Sequence, residues 1–344
     1  MNQAFIDQLL SIIRAISITS EISFSFGGKE FAPLDTARAE WPPAPAQNPL
    51  VAQLAQQLYD QAYCRQFRGR VDDLYSSTPS VPNDILMELS AANAGRERWD
   101  AGWQVHRLMP TGQIIANKGG LMRLLWPGEF VSHEGPGVAM RENARISVFA
   151  PRESMVIQPG FYFVFSEAVS DQQDDYDLVR FYWHVNSEGA PLLVQLISRE
   201  FNRFQIPFRF KSLATRAFYQ RSDAAVLYVT RRFYRISVEL LADIHQKVKT
   251  HMGSEPPLFS KRLADGLGLA EEPGAGESFG QHRSRLLAEG IWNSYEKGLQ
   301  SEQERLQEVR QHFSSNGLSL EAPFLNPGSI DEYDFPTSSA TDQT

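Results

Sequence analysis

Hydrophobic and polar positions alternate most sharply between Val179 and Asn186. Val179, Phe181, Trp183 and Val185 fall on one side and Arg180, Tyr182, His184 and Asn186 on the other. That pattern predicts a half-buried β-strand, because successive side chains of a strand point to opposite faces. The period then changes: Leu193, Leu196, Ile197, Phe201 and Phe204 recur at helical spacing, and Pro191 suits a first turn. Phe208 and Phe210, opposed to Arg209 and Lys211, mark a second strand, and Ala224–Thr230 a third. Strand, helix, strand at this spacing favours a crossover, with the single helix over one face of the sheet. Arg180, Tyr182, His184, Arg209 and Lys211 are then expected to share the other face, and Arg221 to enter from the turn before the third strand.

Elsewhere the pattern is weaker. Phe5, Leu9, Ile12, Ile13 and Ile16 predict an amphipathic helix. It reads as a docking helix or, with Ser17, Ser20, Ser23 and Ser25 close behind, as an export or chaperone-binding segment. It is not a secretory signal, since no basic residue precedes Arg14 and Arg14 interrupts the apolar core. Residues 29–47 are rich in Pro and Ala and predict a loop. A helix follows from Asn48 to about Arg65, and another starts near Pro82 with Asn83 or Asp84 as its cap. The first hundred residues therefore look largely helical. Short strands are expected at 104–108, 112–117, 121–126, 145–149 and 160–166, and the four Asp residues of 171–177 suggest a solvated loop. Residues 234–251 predict a helix, 256–276 a loop and 280–313 one long helix. The organisation is α+β: a helical region 1–100 packed with a mixed β-sheet core 101–315, and a disordered acidic tail 316–344.

Composition narrows the function. With 344 residues, a net charge of −8 and 42% hydrophobic residues, the chain is globular rather than disordered. The acidic balance argues against nucleic acid and anionic membrane as partners, and no apolar run is long enough to span a bilayer. A single cysteine, Cys64, excludes a disulfide framework and a multi-cysteine zinc site. Charge is nevertheless uneven: residues 199–235 hold nine basic residues against Glu200 and Asp223. Half the weight of such a run belongs to a solvated face and the rest to an anion site, a phosphate carried on a peptide or protein. Within a cationic cluster Lys211 would be a better base and His184 could serve as the acid. No carboxylate pair or metal-ligand cluster accompanies them.

Gly276, Ser278 and Gly280 formally match the G-x-S-x-G nucleophile elbow, yet a loop precedes them and only His312 follows at a useful distance. Ser278 is better read as a helix cap. That leaves Gln281, His282 and Arg283 in the first turn, where Arg283 could add an anion contact.

Two blocks carry a resemblance: Val179-Arg-Phe-Tyr-Trp-His-Val185, and Ile206-Pro-Phe-Arg-Phe-Lys-Ser212 leading to Tyr219-Gln-Arg-Ser-Asp-Ala-Ala-Val-Leu-Tyr228. With Glu277–Arg283 and Leu286–Gly290, the chain resembles the HopA family of type III effector-like proteins over roughly residues 100–300. More faintly, it resembles phosphothreonine lyases and the lyase domain of class III lanthipeptide synthetases, which eliminate phosphate from phospho-Ser or phospho-Thr. That resemblance implies His184 as general acid and Arg209 or Lys211 as the base position. It places Tyr182 where the first lysine of the lyases stands and Arg221 at a phosphate-binding arginine; Arg180, Arg209 and Arg283 are the further candidate phosphate ligands. Ala224-Ala225 replace a Gly-Lys pair. Such an elimination needs neither metal nor organic cofactor. The implied partners are a phosphorylated peptide or protein substrate, a kinase and a secretion chaperone, in a bacterial cytoplasm unless type III export applies. The alternative is a non-catalytic effector-like protein that binds a protein partner through its basic face.

Overall fold

The computed structural model describes residues 3–31, 48–71, 82–135, 137–274 and 276–336. Helix α1 (Gln3–Arg14) buries Ile6, Leu9, Ile12 and Ile13, as its periodicity predicts. The serine-rich stretch after it is not helical. Ile16, Phe24 and Phe26 are buried and alternate with serines, so β1 (Ile16–Ser20), β2 (Ser23–Phe26) and β3 (Lys29–Phe31) form a three-stranded antiparallel sheet. The expectation of a largely helical first hundred residues overlooked this period of two. The Asn48 side chain caps α2 (Pro49–Leu58) by accepting from the Leu50 N–H, and one wider π turn, Tyr59–Tyr63, continues it. At α3 (Leu86–Ala92) neither expected cap operates: the Asp84 carboxylate instead accepts from the Arg216 N–H at 2.8 Å.

Next come β4 (Arg98–Leu108), β5 (Ile114–Lys118), β6 (Leu121–Leu125), β7 (Phe130–Ser132) and β8 (Arg145–Ala150). They make a five-stranded sheet in the order β6-β5-β4-β8-β7 around a small core of its own that includes Trp103, Val105, Ile114 and Ile146.

The larger sheet holds β9 (Glu153–Ser154), β10 (Phe161–Phe165), β11 (Leu178–Trp183), β12 (Phe208–Leu213), β13 (Ala225–Thr230), β14 (Lys261–Ala264) and β15 (Leu267–Glu271). Its order is β14-β15-β11-β13-β12-β10-β9, and each paired neighbour is antiparallel. Strands β11 and β12 both pair with β13, so they run parallel to each other, as the crossover through α4 (Ala190–Arg203) requires. The apolar face packs under α4 and α5 (Tyr234–Val248): Phe208 meets Phe201, Phe181 stacks on Tyr234, and Trp183 lies by His245. Burial of each such side chain contributes about 1.5–3 kcal/mol. The opposite face is also covered in part, because Tyr182 packs against Tyr63 and Phe279.

Four further expectations are corrected. Residues 256–276 hold the β14–β15 hairpin, turning at Asp265-Gly266, where Gly266 has φ +65°. Its second strand is buried throughout between β14 and β11. The single long helix is two, α6 (Phe279–Glu296) and α7 (Glu302–Ser315). Gly298, at φ +68°, ends the first, with the Leu299 and Gly298 N–H groups donating back to the Ser294 and Tyr295 carbonyls. A Ser301/Glu304 capping box starts the second. Finally, the supposed tail is docked as far as residue 336: Leu318, Leu320, Phe324 and Tyr333 are buried, and only 337–344 lie outside the described residues. The 171–177 stretch likewise forms a short 3-10 turn whose Asp174 is buried and paired with Arg232.

Candidate functional site

The strand registers set the site. Arg180, Tyr228 and Arg209 stand directly opposite one another across β11, β13 and β12, and Tyr182, Val226 and Lys211 form the next rank. The expected common face therefore exists for Arg180, Tyr182, Arg209 and Lys211. The Tyr228 ring takes both guanidinium groups, at 5.1 Å from Arg180 and 4.6 Å from Arg209. His184 lies just past the end of β11. Its backbone N–H donates to the Gly266 carbonyl, and its ring packs so closely on Gly253 that a Cβ there would sit 2.4 Å from Nδ1. Nδ1 donates to the Glu255 carbonyl at 2.9 Å, since a carbonyl can only accept, and Nε2 has no hydrogen-bond partner among the described residues.

Across this face the proposed acid and base are not neighbours. Strand β13 separates β11 from β12, two strand spacings or about 9.5 Å at the backbone. Lys211 leans further away, with Nζ 3.1 Å from Gln158 Oε1 and 4.4 Å from the Phe161 ring, on the β10 side. Tyr182 is buried between Tyr63 and Phe279, and burial, only partly offset by Arg180, pushes its phenol up to about 12. It stays neutral at physiological pH and cannot stand in for a lysine cation.

The cations are mostly committed. Arg180, nearly enclosed, gives two hydrogen bonds to the Glu272 carboxylate. Arg221 grips Asp223 through two bonds of 2.7 Å and also donates to the Tyr59 hydroxyl at 3.1 Å. Arg283 is the clearest correction. It is fully buried, donating to the carbonyls of Pro323 at 2.7 Å and Leu325 at 2.9 Å and to His282 Nδ1 at 2.6 Å. It ties the C-terminal segment to α6 and does not face a phosphate. Burial lowers its guanidinium to about 10, so it remains charged at neutral pH.

Most of the rest of the basic run is paired with acids, local for two residues and distant for three. Arg199 and Arg203 pair with Glu200, Arg216 with Glu88, Arg231 with Asp177 and Glu271, and Arg232 with Asp174. Of the cationic site candidates, Arg180 and Arg221 are tied to carboxylates and Arg283 to main-chain carbonyls, whereas Arg209 and Lys211 have neither kind of partner among the described residues, and Arg209 is exposed. Arg209 and Tyr228 open on a cleft of about 670 Å³ between the two larger sheets. Among the described residues no group of three or more His, Cys, Asp or Glu could hold a metal ion, and no helix is long and apolar enough to cross a membrane. Ser278 caps α6, with its hydroxyl accepting from the Gln281 N–H, while His312 bonds Glu289 at 2.8 Å, so the G-x-S-x-G match assembles no triad.

Sequence reasoning missed Tyr228, Glu272, Glu255 and Gln158. Asp223, two residues from Arg221, was visible as a partner; Glu272 lies 92 residues from Arg180 and was not.

An α+β protein with a cation-bearing sheet face is thus defined by fold and site together. Residues 152–325, half of the chain, match the model of the HopA1 effector protein family, and the chain belongs to that family. The structure is similar to that of the effector protein from Pseudomonas syringae pv. tomato strain DC3000, at 16% identity and a TM-score of 0.43, over 82% of this chain and 91% of that one. It is also similar to the effector protein from Pseudomonas syringae pv. syringae strain 61, at 16% identity and a TM-score of 0.35, over 48% of this chain and 62% of that one. No curated protein matches the chain.

Proposed function

We propose that the protein is an effector-like binding protein whose β12 cations hold an acidic or phosphorylated segment of a protein partner without breaking a bond in it. The observation that carries this reading is that Arg209 and Lys211 keep uncompensated charge while the other candidate cations are tied to carboxylates or carbonyls. A charge-assisted contact to an anion needs a donor of this kind. β-Elimination asks for more: a base at the α-proton, cations on the phosphate and an acid at the leaving oxygen, all within reach of one residue. Lys211 and His184 diverge across β13, which weighs against that chemistry. A kinase acting on the partner segment, and a secretion chaperone holding α1 before type III export, would complete the reading.

The lyase alternative retains one supporting observation: with Nδ1 on the Glu255 carbonyl, His184 Nε2 has no partner among the described residues and, in the protonated ring, would be the donor that a general acid requires. One experiment separates the two. The full-length protein is incubated with a fluorescein-labelled acidic phosphothreonine peptide, and both anisotropy and peptide mass are followed. Salt-sensitive binding at constant mass, weakened about tenfold or more by Arg209→Glu, is the expected result. Loss of phosphoric acid that disappears in His184→Ala and Lys211→Ala would overturn the binding reading in favour of the lyase.

A further inference from the structure

The cleft beside Arg209 has walls unlike the rest of the surface. From the five-stranded sheet it is lined by Trp126 and Phe149, and from the segment after β9 by Ile157. Trp126 is 56% exposed and Ile157 60%, and Ile157 ends a run, Met155-Val156-Ile157, in which Val156 is 85% exposed. Trp99, also exposed, packs on Phe149 with ring centroids 5.2 Å apart and extends the apolar surface along the rim. Exposed apolar residues scattered singly are ordinary. A cluster of large ones converging on one concave site marks an interaction surface.

Charge states which partner fits. The cleft also holds Glu129, Glu153, Asp175 and Arg123, and each is engaged. Glu129 accepts from the Trp126 N–H, Glu153 from the Ser90 and Tyr162 hydroxyls, and Asp175 from Arg123. Arg209 is the cleft's one charged side chain without such a partner among the described residues, held at its base against Tyr228. Stacking on an aromatic face fixes a guanidinium while leaving its N–H edge free for an oxyanion. The site therefore offers one positive anchor flanked by aromatic and aliphatic walls.

We infer that this inter-sheet cleft docks a segment of a partner protein in which a carboxylate or phosphate, seated on Arg209, lies two or three residues from large apolar side chains that pack on Trp126, Phe149 and Ile157. This rests on the binding reading above and adds what the reading lacks, the apolar half of the recognised segment. Apolar contacts would supply affinity at the buried centre, and the anion would set register.

The test is selection of a displayed library of random decapeptides on the immobilised full-length protein. Selected peptides are then synthesised for anisotropy, each also with its acidic residue replaced by threonine or phosphothreonine. The expected consensus pairs Asp or Glu with Leu, Ile, Phe or Trp at short spacing. Binding should be retained by the phosphothreonine version and lost by the threonine version. Arg209→Glu should weaken it about tenfold or more and flatten its salt dependence, whereas Ile157→Ser and Trp126→Ser should weaken it severalfold with the salt slope unchanged. Anion-dependent peptides that bind the two apolar variants like the wild type would overturn the cleft while leaving the binding function standing. A selection without an acidic consensus, or indifferent to Arg209→Glu, would overturn both. A wild-type dimer that Ile157→Ser dissociates without peptide would assign the apolar wall to a second copy of the chain and overturn the inference.

Discussion

Replacing Arg283 by methionine distinguishes a structural clamp from an anion ligand. The side chain is fully buried, and its donors satisfy the carbonyls of Pro323 and Leu325. Methionine fills a similar volume but leaves both carbonyls without their donor, at about 1–3 kcal/mol each if they stay buried. Opposing this, the substitution removes a desolvated charge. The depression of the guanidinium from 12.5 to about 10 corresponds to roughly 3 kcal/mol of unfavourable burial that methionine does not carry. The two terms nearly offset, so a modest net loss of about 1–2 kcal/mol is expected globally. The local effect should be larger, because the carbonyls can regain water if residues 318–330 detach. That segment is otherwise held by Leu318, Leu320, Phe324 and the Asn326 N–H on Glu271, with Tyr333 anchoring the chain just beyond it. Urea unfolding reads the first quantity, and hydrogen exchange of the Asn326 amide the second. Exchange should accelerate well beyond what the global change allows. An Arg283→Met variant with unchanged urea midpoint and exchange, but with lost binding of phosphorylated peptide, would refute the clamp and restore Arg283 as a ligand.

Two other outcomes follow from the same region. Gly280→Ala in the first turn of α6 gains about 1 kcal/mol of helix propensity, but its Cβ would lie 2.3 Å from Tyr63 Cε1, in a ring held by Tyr59, Tyr182 and Phe279. Overpacking of that kind costs about 1–3 kcal/mol or more, so thermal unfolding should show net destabilisation; an unchanged or raised Tm would mean that the ring yields. His282 is lowered from 6.5 to about 4 by burial first and then by Arg283 and Arg285. As pH falls below 6.5 the unfolded chain takes up this proton before the folded one, so stability present above 6.5 is lost progressively towards 4. After allowance for partial exposure the loss is on the order of 1–2 kcal/mol. Urea midpoints between pH 7 and 4 measure it, and a slope unaltered in His282→Gln would show that other groups carry it.

Helix α4 and strand β12 could be read from the chain because each buries mainly one face, and β11, although buried on both, because its second face carries the polar types Arg180 and Tyr182, which preserve the alternation. Strand β15 could not: Leu267-Gly-Leu-Ala-Glu271 is buried on both faces and shows no alternation, although the Asp265-Gly266 turn was a hairpin signal. The break between α6 and α7 was equally visible in Gly298 and the Ser301/Glu304 pair, and was hidden only by continuous amphipathic spacing on both sides. For the site, residue types were legible and their availability was not. The nine basic residues of 199–235 suggested a broad anion face, yet Glu88, Asp174, Asp177 and Glu271 arrive from elsewhere in the chain to neutralise several of them. Opposite charges brought together by folding screen one another, so a local charge count measures composition and not potential. What recognises a partner is the cation that folding leaves unpaired. On the candidate face that criterion selects Arg209 and Lys211 over Arg180, Arg221 and Arg283, and so favours anion binding at β12 over a distributed phosphate cage.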